Sequence, residues 1–142
     1  MKLKIVTVSL FLLCWTQSVS AESINIPVLT IALEARGESL EGQMAAAEVI
    51  RNRANKAHST FETVCLAPYQ FSCWNGRKTP KMAQKEVSVQ AYQRAFRAWT
   101  ESESSNLTNG ATHYHALSVR PYWIGKRKGI TIGNHRFYRG IR

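Results

Sequence analysis

The stretch from Leu40 to Asn55 constrains the fold of this 142-residue chain more than any other feature. Leu40, Met44, Ala45, Ala46, Ala47, Val49, Ile50 and Ala54 are apolar. At the ~100° per residue of an α-helix they go most of the way round. Only Glu41, Glu48, Asn52 and Asn55 share a clear polar strip. Such a helix must be covered on several sides, which predicts a central helix with other elements packed around it. Ser39 is placed to cap its first turn. Before it, Pro27 to Ala35 reads as a shorter helix, with Val28, Leu29, Ala32 and Leu33 as its apolar stripe and Gly37 as its stop. The turn between the two is Glu34-Ala35-Arg36-Gly37-Glu38.

Beyond the central helix, His58 to Arg77 has no sustained period and reads as an ordered loop. Thr79-Pro80 is a helix start, a capping hydroxyl followed by proline at the first helical position. Met82, Val89, Tyr92, Phe96 and Trp99 then recur at helical spacing to about Thr100, as a core stripe. Residues 101–110 are polar and form a loop. Ala111 to Ala116 alternates, with Thr112, Tyr114 and Ala116 on one side and His113 and His115 on the other, the period of a strand. Gly129 to Arg139 reads as a second strand, with Gly133-Asn134 in or beside it. The fold class expected is α+β, a mostly helical body with a small antiparallel sheet.

The start of the chain does not read as folded domain. Lys2 and Lys4 precede an apolar run from Ile5 to Trp15, and Val19 and Ala21 occupy the −3 and −1 positions of a cleavage site. Residues 1–21 are therefore expected to be a signal peptide, and residues 22–142 one exported domain. The apolar run is too short to span a bilayer, which takes about 20 residues.

Export bears on both the cysteines and the charge. With Cys14 removed, Cys65 and Cys73 remain as an even pair and read as a disulfide closing the loop Leu66 to Ser72. Lys and Arg number 19 against 9 acids, a net charge of +10, and every carboxylate is Glu. That charge attracts polyanions. For an exported chain these are envelope polymers, not nucleic acid. Apart from Lys126-Arg127-Lys128 the basic residues are scattered, so the expectation is a diffuse field and no groove.

Glu34 and Glu38 flank the turn where the first apolar helix breaks. A carboxyl group held against an apolar wall at a helix end can lend a proton near neutral pH. Cleavage of a glycosidic bond needs such a group.

Read in order, the pieces form a larger pattern. Glu34-Ala-Arg-Gly-Glu38 and Glu41-Gly42-Gln43 through Arg51-Asn52-Arg53 come first. Gln70-Phe71-Ser72-Cys73-Trp74 is next. Ala111-Thr-His-Tyr-His115, Pro121-Tyr-Trp123 and Ile132-Gly-Asn-His-Arg-Phe-Tyr138 close the chain. This pattern resembles the SleB-like cell wall hydrolase family, the spore-cortex-lytic enzymes and their relatives, from about Leu29 to Arg139.

The resemblance implies a lysozyme-related domain that cleaves peptidoglycan between N-acetylmuramic acid and N-acetylglucosamine without a cofactor or metal. The family's catalytic glutamate falls on Glu34. In a lytic transglycosylase it would protonate the glycosidic oxygen, then take the proton of the muramic C6 hydroxyl as a 1,6-anhydro ring closes. A hydrolytic outcome would need a second acid, with Glu38 or Glu48 the nearby offers. Glu38, Gln70, Ser72, Trp74, Tyr114, Trp123 and His135 are the candidates for contact with the glycan. The expected partner is the peptidoglycan strand, met in the periplasm or outside the cell by a monomer with no stable membrane span.

Two rival readings remain. In one, His113, His115 and His135 hold zinc for an amidase that releases the stem peptide. In the other, the chain is a non-catalytic basic binder of envelope polymer.

Overall fold

The computed structural model describes residues 23–76 and 79–141. The leader read in Met1–Ala21, with Cys14, lies outside the described residues. Five α-helices, α1 (Ile26–Glu34), α2 (Leu40–Ala57), α3 (Phe61–Leu66), α4 (Pro80–Gln84) and α5 (Val89–Glu101), precede three short strands. These are β1 (His113–Ala116), β2 (Ile130–Ile132) and β3 (His135–Tyr138). Single 3₁₀ turns lie at Ser72–Trp74, Ser102–Ser104 and Tyr122–Ile124. The class is the α+β one expected, a helical body with a small antiparallel sheet.

α1 begins where Asn25 caps it, its side chain accepting from the Val28 N–H at 3.1 Å. Pro27 sits in the first turn, where a missing N–H costs nothing. Every residue from Ile26 to Ala32 is buried, so α1 is covered all round and not along one stripe. It lies against α2, α3 and α5.

α2 starts at Ser39, whose hydroxyl accepts from the Gly42 N–H. It ends at His58, in the left-handed region at φ 48°. Its alanines are small enough to let neighbours approach closely. One side joins Ile31, Val64, Ala95 and Ala98 in the main core, through Ala47, Ile50 and Ala54. Another side meets the sheet, where Ala45 and Val49 pack with Ala111, Ile132 and Phe137.

Three segments differ from expectation. The stretch read as loop from His58 holds α3, capped by Thr60, and the 3₁₀ turn at Ser72. The helix from Pro80 stops at Gln84 and restarts at Val89, because the Ser88 side chain caps the new start at the Ala91 N–H. A side chain that satisfies the backbone in this way competes with helix continuation. The break changes the inward face: Ala95 and Ala98 are buried with Tyr92 and Trp99 beside them. Met82 (49%), Val89 (68%) and Phe96 (51%) stay exposed, contrary to the stripe expected. Finally, the second strand is a hairpin. The chain turns at Gly133-Asn134, so β2 and β3 pair with each other and β3 is the centre of a sheet ordered β1-β3-β2.

Register assigns the two sheet faces. Tyr114 pairs with Phe137, and Ala116 with His135. These side chains share the inner face, toward α2, because directly opposed residues point the same way. His113 pairs with Tyr138 and His115 with Arg136, and these occupy the outer face.

Candidate active site

Glu34 is the last residue of α1 and is partly exposed. Its Oε1 accepts from the Ser72 hydroxyl at 2.9 Å and from the Cys73 N–H at 2.6 Å. The Tyr114 hydroxyl donates to its Oε2 at 3.2 Å. The apolar wall expected around this carboxyl group is therefore replaced by three converging donors from the 3₁₀ turn and from β1. Each carboxylate oxygen has about two acceptor positions. Among the described residues those of Oε1 are filled, and Oε2 retains one.

α1 aims two side chains at the same turn. Thr30 lies one helical turn before Glu34, and its hydroxyl accepts from the Trp74 indole N–H at 2.9 Å while donating to the Ile26 carbonyl. Trp74 is thus partly buried on the main core and fixed in place. Thr30 was missed in the sequence, although its i, i+4 relation to Glu34 puts both on one helix face.

Arg53 was missed as well. It donates to the Thr112 carbonyl at 2.6 Å and the Gln70 carbonyl at 2.8 Å, and its guanidinium lies 4.6 Å from the Phe71 ring centre. It joins the segment leading into the 3₁₀ turn to the segment leading into β1, the two sources of donors to Glu34. Burial lowers its pKa, against the raising effect of Tyr114, Cys65 and Glu34. Gln70 itself is exposed and enters this arrangement through its carbonyl.

Tyr114 stands at the junction. Its ring stacks on Phe137 at 5.3 Å and meets His135 edge-on at 5.2 Å. Burial pushes its hydroxyl pKa well above the ordinary value, and the neighbouring Glu34 carboxylate adds to that.

Glu38 is 7% exposed. One oxygen accepts from the Asn134 N–H at 3.1 Å, and the other lies 3.4 Å from His135 Nδ1. Gly42 and Gly133 leave the space it fills. A Cβ at Gly42 would sit 2.8 Å from the Glu38 Cβ, and one at Gly133 would collide with its carboxylate. Glu38 thus fastens the β2–β3 turn to the start of α2, one ring contact away from Tyr114. Gln43 holds the turn from below, donating to the Ala35 carbonyl at 3.2 Å.

Other candidates are placed elsewhere. Glu48, expected on a polar strip, is buried at 4%. It accepts from the Ser105 hydroxyl, the Leu107 N–H, and both the N–H and hydroxyl of Thr108. All four donors belong to the segment that carries the chain from α5 to the sheet. Trp123 lies across the outer sheet face with His113, His115 and Tyr138, at 5.5–6.0 Å between ring centres. The sheet separates it from Tyr114 and Glu34. Ile124 and Ile141 pack against Tyr138 there and hold the Tyr122–Ile124 turn on that face.

The three histidines are divided by the same register, His113 and His115 outside and His135 inside. They do not converge on a common point. Among the described residues no three His, Cys, Asp or Glu side chains are grouped as metal ligands would be.

The expected disulfide between Cys65 and Cys73 is not present in the structure. Cys65 points from α3 into the core, where burial pushes its thiol up to about 12. The 3₁₀ turn around Cys73 is pinned instead by the hydrogen bonds to Glu34 and Thr30.

The Cell Wall Hydrolase family model matches residues 37–138. The chain belongs to the cell wall hydrolase family. It is an enzyme acting on the cell wall, and that substrate lies outside the cytoplasm. The fold agrees. The catalytic domain of the germination-specific lytic transglycosylase SleB from Bacillus anthracis superposes with a TM-score of 0.64 at 26% identity, covering 85% of this chain and 97% of that one. The catalytic domain of the Bacillus cereus SleB protein superposes at 0.55 and 26% identity, covering 79% and 87%. No curated protein is a significant match. No helix among the described residues is long and apolar enough to cross a membrane.

Proposed function

We propose that this cell wall hydrolase is a lytic transglycosylase, cleaving peptidoglycan between N-acetylmuramic acid and N-acetylglucosamine with Glu34 as its one catalytic carboxyl group. Glu34 first gives its proton to the bridging oxygen, and the bond to muramic C1 breaks. The muramic C6 hydroxyl attacks C1, its proton passes to the Glu34 carboxylate, and a 1,6-anhydro ring closes. No water enters and the enzyme returns to its starting state.

The observation that carries this reading is the distribution of carboxylates. Among the described residues Glu34 keeps an unfilled acceptor position on Oε2, while Glu38 is buried with both oxygens engaged and Glu48 is committed to four donors. A hydrolytic route would need one of them to activate a water. The Tyr114 hydroxyl and the Cys73 N–H are set to stabilise charge as it returns to Glu34, which is worth most where donors are pre-aimed. Ser72, Trp74, Gln70, Glu38 and His135 are the candidate glycan contacts of this reading, with Ser72 the one that touches Glu34 directly. Trp123, on the other face, is not among those we place against the cleaved bond. The chain works as a monomer in the periplasm or outside the cell, after removal of residues 1–21.

Two measurements test the proposal. Mass analysis of products from purified peptidoglycan should show 1,6-anhydro-muramic ends. Reducing ends would point to hydrolysis, and released stem peptides to an amidase. Glu34→Gln keeps the shape and the acceptor but cannot donate a carboxyl proton, and should lose ~10²–10⁴-fold in turnover with an unchanged circular-dichroism spectrum. A fully active, folded variant would remove Glu34 from the mechanism.

A further inference from the structure

The last 39 residues, 104–142, contain seven Lys and Arg and no acid. Their charge is not diffuse. Against the outer sheet face lies a cavity of about 540 Å³ lined by Arg120, Lys126, Arg127 and Arg136 together with His115 and Tyr138. No carboxylate lines it among the described residues. Two of the cations are held by backbone or hydroxyl oxygens: Arg127 donates to the Trp123 carbonyl at 3.0 Å, and Arg136 to the Thr131 hydroxyl at 3.1 Å. His115 stacks on Tyr138 at 5.5 Å, with Nε2 2.9 Å from the Tyr138 hydroxyl, and together they form a polar wall.

We propose that this pocket is an oxyanion-binding site that holds an anionic substituent of the wall polymer while the glycan is cleaved on the opposite sheet face. Four like charges around one cavity repel each other unless an anion is present, and guanidinium groups match carboxylate and phosphate oxygens with paired hydrogen bonds. Adjacent residues link the two sites. Tyr114 touches Glu34 on the inner face, and His115 lines the pocket on the outer face. The two sites thus lie on opposite sheet faces at adjacent residues of β1, an edge strand, round which a flexible substituent of the polymer would pass. The anion is a carboxylate of the stem peptides or a phosphate of an attached polymer. The choice of wall polymer rests on the proposed activity, whereas the anion chemistry does not.

The test is binding, which needs no turnover. Inorganic phosphate titrated into the full chain should shift the His115 and Tyr138 ring resonances. In a pelleting assay in the Glu34→Gln background, Arg120→Ala/Lys126→Ala should bind intact wall material about tenfold more weakly and show a flatter salt dependence. The parent should lose the same increment on material stripped of stem peptides if carboxylate is the anion, or on material stripped of phosphate polymers if phosphate is. The double variant should then be indifferent to that stripping. Equal binding of intact wall material by parent and double variant overturns the proposal, whatever phosphate alone does. Failure of the cleavage mechanism would instead leave the phosphate titration and the pelleting difference intact.

Discussion

Tyr114 links the two halves of the site at the scale of one residue. Its hydroxyl, kept protonated by burial and by Glu34, donates to the Glu34 oxygen that retains an acceptor position unfilled by any described residue. Tyr114→Phe preserves the ring contacts with Phe137 and His135 and removes only that donor. A hydrogen bond to a charged group is worth ~1.5–3 kcal/mol, so kcat should fall ~10- to 100-fold with KM changed much less. A raised KM with kcat unchanged would show that Tyr114 binds substrate instead. His113 makes a pH prediction. Burial lowers its pKa from 6.5, helped by Arg53 and Lys56. The folded state therefore keeps the ring neutral where the unfolded chain would protonate it, so folding stability drops as pH falls below 6.5 toward the lower folded value. Urea midpoints between pH 7.5 and 5.5 should decline more for the wild type than for His113→Gln. Parallel declines would exclude the effect.

Among the elements, the β2–β3 hairpin depends on one glycine. Gly133 has φ +57°, and a side chain there would meet the Glu38 carboxylate. Gly133→Ala combines backbone strain with loss of the Glu38–Asn134 contact, and should cost at least ~1–3 kcal/mol. Activity should fall with it, since the hairpin carries His135 against Tyr114. A variant with wild-type melting temperature would show that the turn does not depend on this cradle. The same logic explains the broken helix at Ser88. Local caps and glycines decide where an element stops, and helical periodicity alone carries through such stops.

Across the whole molecule, Glu48 ties the segment 105–108 to the central helix and so sets where the sheet begins. Glu48→Gln replaces one acceptor oxygen with a donor facing other donors. Such a change should cost ~1–3 kcal/mol, or more with a charged partner lost, and lower the melting temperature by several degrees. The folded variant should keep turnover, and loss of turnover without loss of stability would make Glu48 catalytic. Much of the architecture was legible in the residues. The all-round apolar stretch after Leu40 required a central helix, the Ser39 and Thr79-Pro80 starts were marked by their capping groups, and alternation marked β1. Glu34 stood out because it breaks an apolar helix. Glu48 was misread because a polar residue on a helix strip looks solvated until a distant segment brings four donors to it. Alternation put His113 and His115 on one face and Tyr114 on the other, as found, but only strand pairing says which face meets Glu34, and it leaves Trp123 on the far one. The basic residues looked scattered for the same reason, and the fold of the β1–β2 connection over the outer sheet face gathers four of them. What the sequence determined by itself were the local commitments, helix starts, periods and the acid at the turn, because these depend on neighbours a few residues away. What only the tertiary structure decided was which donor meets which acceptor across 38 to 96 residues of chain, because that depends on packing.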